Sequence, residues 1–182
     1  KKDYLLDVYV YSNCDSVELY QDNVLLDRKP VDGDKYYALF KVQSKPGELK
    51  AIGYKNGEKI GTHSLQTASK PVDIEVNLSK DAIAKDFDDV VIAFIELKDK
   101  NNITVPDDDH QIQVDVSGAG ELLGLESGNQ YSHESYGLNI RKTHNGRLIA
   151  VIGYRESNED KITVKVRDTV NGTSKEIMIR VQ

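Results

Sequence analysis

The lone thiol of the chain, Cys14 in the stretch Tyr11-Ser12-Asn13-Cys14-Asp15-Ser16, is the side chain to weigh first as a nucleophile. A thiol attacks as thiolate, so it needs a histidine, a cation or a helix N-terminus beside it. The sequence neighbours of Cys14 supply none of these, and Asp15 would raise a thiol pKa. The polar break reads instead as a chain corner, because Asn, Asp and Ser side chains bond to nearby backbone. His63, His110, His133 and His144 never fall at zinc-ligand spacings, and no second cysteine joins them, so no metal site is expected. Asp107-Asp108-Asp109, with Asp99 in the same loop, could offer oxygen ligands to calcium but lacks the spaced pattern of an EF-hand. A solvated loop is the simpler expectation. Gly118-Ala119-Gly120-Glu121-Leu122-Leu123-Gly124 has the glycine content of a dinucleotide fingerprint, yet its third glycine falls one position late and no helix follows to receive a pyrophosphate. Tight turns and a bulge explain these glycines better.

Carboxylate chemistry is harder to place. Glycoside hydrolysis takes two facing carboxyl groups about 5 to 10 Å apart, and thirty acidic residues allow such a pair without assigning one. Sugar binding asks for exposed aromatics beside polar groups. There is no tryptophan, but there are ten tyrosines, and the loop Gly128 to Tyr136 gathers two of them with amide, imidazole and carboxylate groups. Asn129, Tyr131, His133, Glu134 and Tyr136 are therefore the candidate carbohydrate-binding residues; no catalytic residue is assigned.

The elements that must carry these residues follow a period of two. Val8/Val10, Val17/Leu19, Ile74/Val76/Leu78, Ile112/Val114/Val116, Ile162/Val164/Val166 and Ile177/Ile179/Val181 alternate with polar residues, the mark of half-buried strands. Asn56-Gly57, Asn145-Gly146 and Asn171-Gly172 lie between such runs, and Asn-Gly supplies the positive φ angles of a type I′ hairpin. Gln21-Asp22-Asn23-Val24 is a weaker hairpin signal. Only Ser79 to Asp86 has a helical look, enough for a turn or one helical turn. Thr67-Ala68-Ser69-Lys70-Pro71 separates two sets of strand patterns, which places a boundary near residue 70. Residues 1–70 hold six strand-like runs; residues 71–182 have room for seven or eight. The fold class expected is all-β, two tandem immunoglobulin-like antiparallel β-sandwiches, and the first is small enough that its sheet should lean on chain outside it.

The totals exclude several classes. With 24 basic and 30 acidic side chains the net charge is -6 over 182 residues, and no basic face marks a nucleic-acid binder. No run of about 18 apolar residues is long enough for a membrane helix. One cysteine permits no internal disulfide. Asn-x-Ser/Thr triplets at Asn77, Asn102 and Asn171 would matter only in a secretory host. The opening Lys-Lys-Asp, without methionine or signal peptide, gives the expectation of an excised or processed piece whose location is not readable from its start.

Several segments, in order, resemble the region that follows the catalytic barrel in family 2 glycoside hydrolases of the β-galactosidase type. They are Val8 to Leu19 with its Ser-Asn corner and Val-Glu-Leu strand; the Pro46-Gly47 turn into Glu48 to Tyr54; Gly118 to Gly124; Gly128-Asn129 with Ser132 to Ser135; and Asn145-Gly146. One departure is the turn after Glu18-Leu19, where the family usually carries Asn-Gly. The resemblance implies that the family's acid/base and nucleophile glutamates lie on an upstream (β/α)₈ barrel, of which these residues show no alternating strand and helix. It further implies a non-catalytic accessory region, with the barrel of the same chain as partner, carbohydrate as a second ligand class, oligomer contacts through the parent, a periplasmic or secreted bacterial setting and no cofactor. The alternatives are a carbohydrate-binding module and an Ig-like spacer of a bacterial surface adhesin.

Overall fold

The computed structural model describes residues 4–182, so the Lys1-Lys2-Asp3 opening lies outside the described residues. Two compact units result, one ending at Thr67 and the other running from Ala68 to Gln182. Among the described residues every regular element is a strand, and no helix is long and apolar enough to cross a membrane.

The first unit contains β1 (Leu5–Tyr11), β2 (Ser16–Gln21), β3 (Val24–Pro30), β4 (Tyr37–Gln43), β5 (Glu48–Lys55) and β6 (Glu58–Gln66). β1 and β4 form a two-stranded sheet that faces a four-stranded one of order β3-β2-β5-β6. Alternation decides which side chains meet: Val17 and Leu19 from β2 pack against Ala38, Phe40 and Val42 from β4. The polar break at Asn13 to Asp15 is the point where the chain leaves one sheet for the other. The backbone N–H of Cys14 donates to Ser12 Oγ (3.1 Å), and that of Asp15 to the Tyr54 carbonyl (2.9 Å). Cys14 itself lies over Gly53: a Cβ there would come 2.7 Å from its sulfur.

The second unit contains β7 (Asp73–Leu78), β8 (Ala82–Ile83), β9 (Val90–Lys98), β10 (Gln111–Gly118), β11 (Gly120–Glu126), β12 (Ile140–Lys142), β13 (Arg147–Tyr154), β14 (Lys161–Asp168) and β15 (Ser174–Val181). Its sheets run β12-β10-β14-β15-β8 and β11-β13-β9-β7. Inward residues of β9, β10, β13 and β14, among them Ile95, Leu97, Ile112, Val114, Ile152, Ile162, Val164 and Val166, are almost completely dry. Burying each such side chain stabilises the fold by about 1.5–3 kcal/mol. The glycine run marks the step from β10 to β11: Gly118 has a φ of 81°, and a Cβ on it would strike the Lys161 carbonyl at 2.4 Å. A bulge follows between Leu122 and Gly124.

Four local expectations need correction. Ser79 to Asp86 makes no helical turn; Ala82–Ile83 joins β15 as a short parallel strand, so the pairing is not wholly antiparallel, and Ile83 is fully buried there. The second unit has nine strands rather than seven or eight, the added ones being the short β8 and β12. Gln21 to Val24 is a tight hairpin after all, because Asp22 and Asn23 both take positive φ (51° and 65°), as short polar side chains can. Asn171-Gly172 is not a two-residue turn: only Gly172 has positive φ, and the Asp168 N–H reaches over to the Thr173 carbonyl.

Candidate functional site

The loop proposed from sequence joins β11 to β12. Gly128 turns the chain with a φ of 74°, and Asn129 Oδ1 then accepts the Tyr131 N–H at 3.0 Å. Ser132 Oγ donates to Glu134 Oε2 (3.1 Å), while Glu134 Oε1 accepts the Lys142 N–H (3.2 Å). Arg141, completely buried, donates from Nη1 to the Glu134 carbonyl (3.0 Å). Its guanidinium lies 4.6 Å from the centre of the Tyr136 ring, a cation–π contact, with Glu126 at 3.8 Å. Burial alone would raise the Glu126 pKa; the Gly128 N–H, Arg141, the Ser127 N–H and Tyr136 outweigh it and leave that pKa below the ordinary value.

The five candidates thus separate. Asn129 and Glu134 spend their side chains on holding the loop, and Tyr136 is held by Arg141. Tyr131, 88% exposed, and His133, also exposed, point outward. All five share one loop, but only Glu134 and Tyr136 are tied together, through Arg141.

Other groups with the look of chemistry are structural. His110 Nδ1 meets Asp168 Oδ2 at 2.6 Å, both residues buried, an arrangement that in hydrolases orients a general base. Here Nε2 faces Asp108 at 3.7 Å, the His110 N–H donates to Thr143 Oγ1 (2.9 Å), and Asp168 Oδ1 accepts the Val170 N–H (2.9 Å). The pair fastens the start of β10 to the β14–β15 turn. Asp109 Oδ1 accepts the Gly146 N–H (3.3 Å). Asp99 accepts backbone N–H groups from Ser69, Ile103 and Asn101, which hold its pKa at about 2. Asp99 and Asp109 are therefore occupied by backbone N–H groups, and Asp108 faces His110. Among the described residues no group of three or more His, Cys, Asp or Glu side chains is placed to hold a metal.

An ion network crosses three strands of the second unit. Glu96 on β9 accepts from Arg147 Nε of β13 (2.8 Å), and from Lys98 Nζ (2.8 Å) and Thr104 Oγ1 (2.9 Å). Lys98 also meets Glu75 of β7 at 2.8 Å. Burial would raise the Glu96 pKa, but the bonds from Arg147, Lys98 and Thr104 bring it down to about 2. A general acid for glycoside hydrolysis needs the opposite displacement.

Sequence reasoning passed over an aromatic cluster in the first unit. Tyr9 and Tyr11 of β1 each meet Tyr37 of β4 edge-on, with ring centres 5.1 and 5.6 Å apart. The i, i+2 spacing of Tyr9 and Tyr11 was the available signal; that Tyr37 stands opposite Tyr11 and diagonal to Tyr9 is set by the β1–β4 register.

Residues 74–176 match the family described as glycoside hydrolase family 2 C-terminal domain 5. The chain belongs to glycoside hydrolase family 2. Residues 4–61 match a further domain, described as a domain of unknown function (DUF4982). The family 2 chain is 28% identical over 148 residues to beta-galactosidase BoGH2A of Bacteroides ovatus, covering 81% of this chain and 17% of that protein. It superposes on a glycosyl hydrolase family 2 member from Bacteroides cellulosilyticus with a TM-score of 0.91 and 27% identity, over 98% of this chain and 23% of the other. On a beta-glycosidase from Bacteroides vulgatus the TM-score is 0.86 with 29% identity, over 97% and 22%. The chain therefore spans between 17% and 23% of the length of these relatives.

Proposed function

We propose that the chain is the non-catalytic accessory part of a β-galactosidase-like glycoside hydrolase, and that it provides support and inter-domain contacts for a catalytic barrel elsewhere in the same polypeptide. The observation that carries this reading is that 98% of the chain matches less than a quarter of a family 2 enzyme. Cleavage of terminal β-galactosides by a retaining mechanism, with two glutamates on the barrel, is the parent activity proposed. The carboxyls of the two sandwiches fit an accessory role, since those whose pKa values are clearly displaced, Glu18, Glu96, Asp99 and Glu126 among them, are all moved down. The test is to read the gene upstream of residue 1 and to assay the parent and the 182-residue chain side by side on a nitrophenyl β-galactoside. The parent is expected to turn over and the short chain not. Turnover by the short chain at the parent's rate, or an upstream region made only of further sandwiches, overturns the reading.

A second reading, glycan binding by the loop of Asn129, Tyr131, His133, Glu134 and Tyr136, is supported by one specific feature: Tyr131 stands almost fully in solvent on a loop braced by the buried Arg141. Titration with galactosides and longer glycans, read at the Tyr131 and His133 signals, decides it; no shift at either removes it.

A further inference from the structure

The first unit is closed on one side and open on the other. Inward residues are buried on β2 (Val17, Leu19, Gln21) and on β4 (Ala38, Phe40, Val42), half-buried on β5 (Leu49, Ala51), and exposed on β6 (His63, Leu65). On β1 the inward Leu6 is 40% exposed, and on β6 Leu65 is 64% exposed. Two hollows open between β1 and β6. One, of about 580 Å³, is lined by Leu6, Val42, Leu49 and Leu65 among others; the other, of about 270 Å³, by Val10, Ala51, Ile60 and His63 among others.

The edge of β1 above these hollows is unpaired. Ser12 N–H donates to the Tyr36 carbonyl, and Ser44 N–H to the Tyr4 carbonyl. In the antiparallel register of the two strands, it is therefore the even-numbered residues of β1 that bond to β4. The N–H and C=O groups of Leu5, Asp7, Tyr9 and Tyr11 face away from β4, and among the described residues no strand takes them. The opposite edge is managed differently. Lys29, inward on β3 and paired with Asp27 at 3.8 Å, donates from Nζ to the Leu39 carbonyl of β4 (2.8 Å), and Asp32 bridges Tyr37. Inward charge of this kind blocks an edge; the β1 edge has none.

Strand order says what is missing. The four-stranded sheet β3-β2-β5-β6 and the pair β1-β4 correspond to strands C′, C, F, G and B, E of an immunoglobulin-like sandwich, in which the strand before B pairs with B. We infer that a strand of the polypeptide preceding residue 1 in the parent adds to the free edge of β1 and closes the sandwich between β1 and β6. This rests on the reading of the chain as part of a longer enzyme, of which relatives hold more than three quarters outside the matched region. The strand runs antiparallel to β1 and carries large apolar side chains on one face. At about 3.3 Å per residue, Leu6 and Val10 lie about 13 Å apart, so residues i and i+4 of the added strand fill the two hollows.

The experiment compares the 182-residue chain with the same chain extended by roughly 25 residues of its own upstream sequence, enough for a strand and its connection, by amide hydrogen exchange. A synthetic peptide of that segment is also titrated onto the short chain. The amides of Leu5, Asp7, Tyr9 and Tyr11 are expected to slow by about tenfold or more in the extended chain, while those along the β3 edge stay unchanged. A folded extended chain whose four amides exchange at the short chain's rate overturns the inference. So does their protection in the short chain alone with a concentration-dependent dimer in light scattering, which gives the edge to a second copy. Asp7→Pro removes an edge N–H that β4 does not use, as edge strands tolerate, and is expected to leave the short chain folded while weakening the peptide at least about tenfold; unchanged peptide binding also overturns it. If Asp7→Pro fails to fold, the exchange comparison on the unaltered chains still decides. An upstream gene without a barrel, but with the four amides protected, sinks the proposed function and leaves this inference standing.

Discussion

Replacing Glu96 by glutamine takes one negative charge from the centre of the β7–β9–β13 network and leaves Lys98 with Glu75 as its partner. In the folded chain the Glu96 pKa is about 2, against an ordinary 4.5. At 1.36 kcal/mol per pH unit that gap corresponds to at most about 3.4 kcal/mol. The Glu96 side chain is 26% exposed and Arg147 62%, so solvent screening reduces the contribution to about 1–2 kcal/mol. A depressed carboxyl pKa stabilises fully above the unfolded value. The contribution is therefore complete above pH 4.5 and is lost as pH falls through about 2. Urea unfolding of both chains at pH 7, 4.5, 3 and 2, followed by amide signals of β9 and β13, measures it. Glu96→Gln is expected to lose about 1–2 kcal/mol at pH 7 and to approach the unaltered chain within about 0.5 kcal/mol at pH 2. An equal deficit at pH 7 and pH 2 would show that lost packing, not charge, is responsible and would refute the reasoning.

Gly146→Ala places a Cβ 1.9 Å from the Val105 carbonyl, whereas Gly57→Ala, at a similar positive φ, meets nothing within 4 Å; the second should cost about 1–2 kcal/mol and the first clearly more, an order that thermal unfolding of the two variants checks. Asp168→Ala leaves the buried His110 ring and the Val170 N–H without an acceptor and is expected to destabilise the second unit by about 3–5 kcal/mol, seen as a lower urea midpoint for its signals with those of the first unit unmoved. Tyr131→Ala, at an 88% exposed position, should change stability by less than about 0.5 kcal/mol yet abolish any glycan-induced shift on its loop; a shift that survives moves the glycan elsewhere.

Six strands of the first unit were legible because alternation and turn residues are local, and the six runs expected there are matched by six strands, β1 to β6. Asn56-Gly57 and Asn145-Gly146 take positive φ at both residues for the same reason. The Asp22-Asn23 hairpin was undervalued although its residue types suffice for the left-handed region; the error lay in expecting glycine. Ala82–Ile83 could not be read as strand at all, since two residues carry no period and their partner, β15, comes almost a hundred residues later.

The candidate site divides along the same line. The composition of the Gly128 to Tyr136 loop was visible, but which of its side chains brace the loop was set by Arg141, whose burial no local pattern marks. His110 and Asp168 stand 58 positions apart, and nothing near either one announces the other. The sequence by itself determined strands, corners and the all-β class, because backbone preference and side-chain alternation act over a few residues. Only the tertiary structure decided which charges meet, which polar groups are dry and which edge of β1 stays open. Those depend on register between distant strands, and a strand carries no mark of the neighbour it will have.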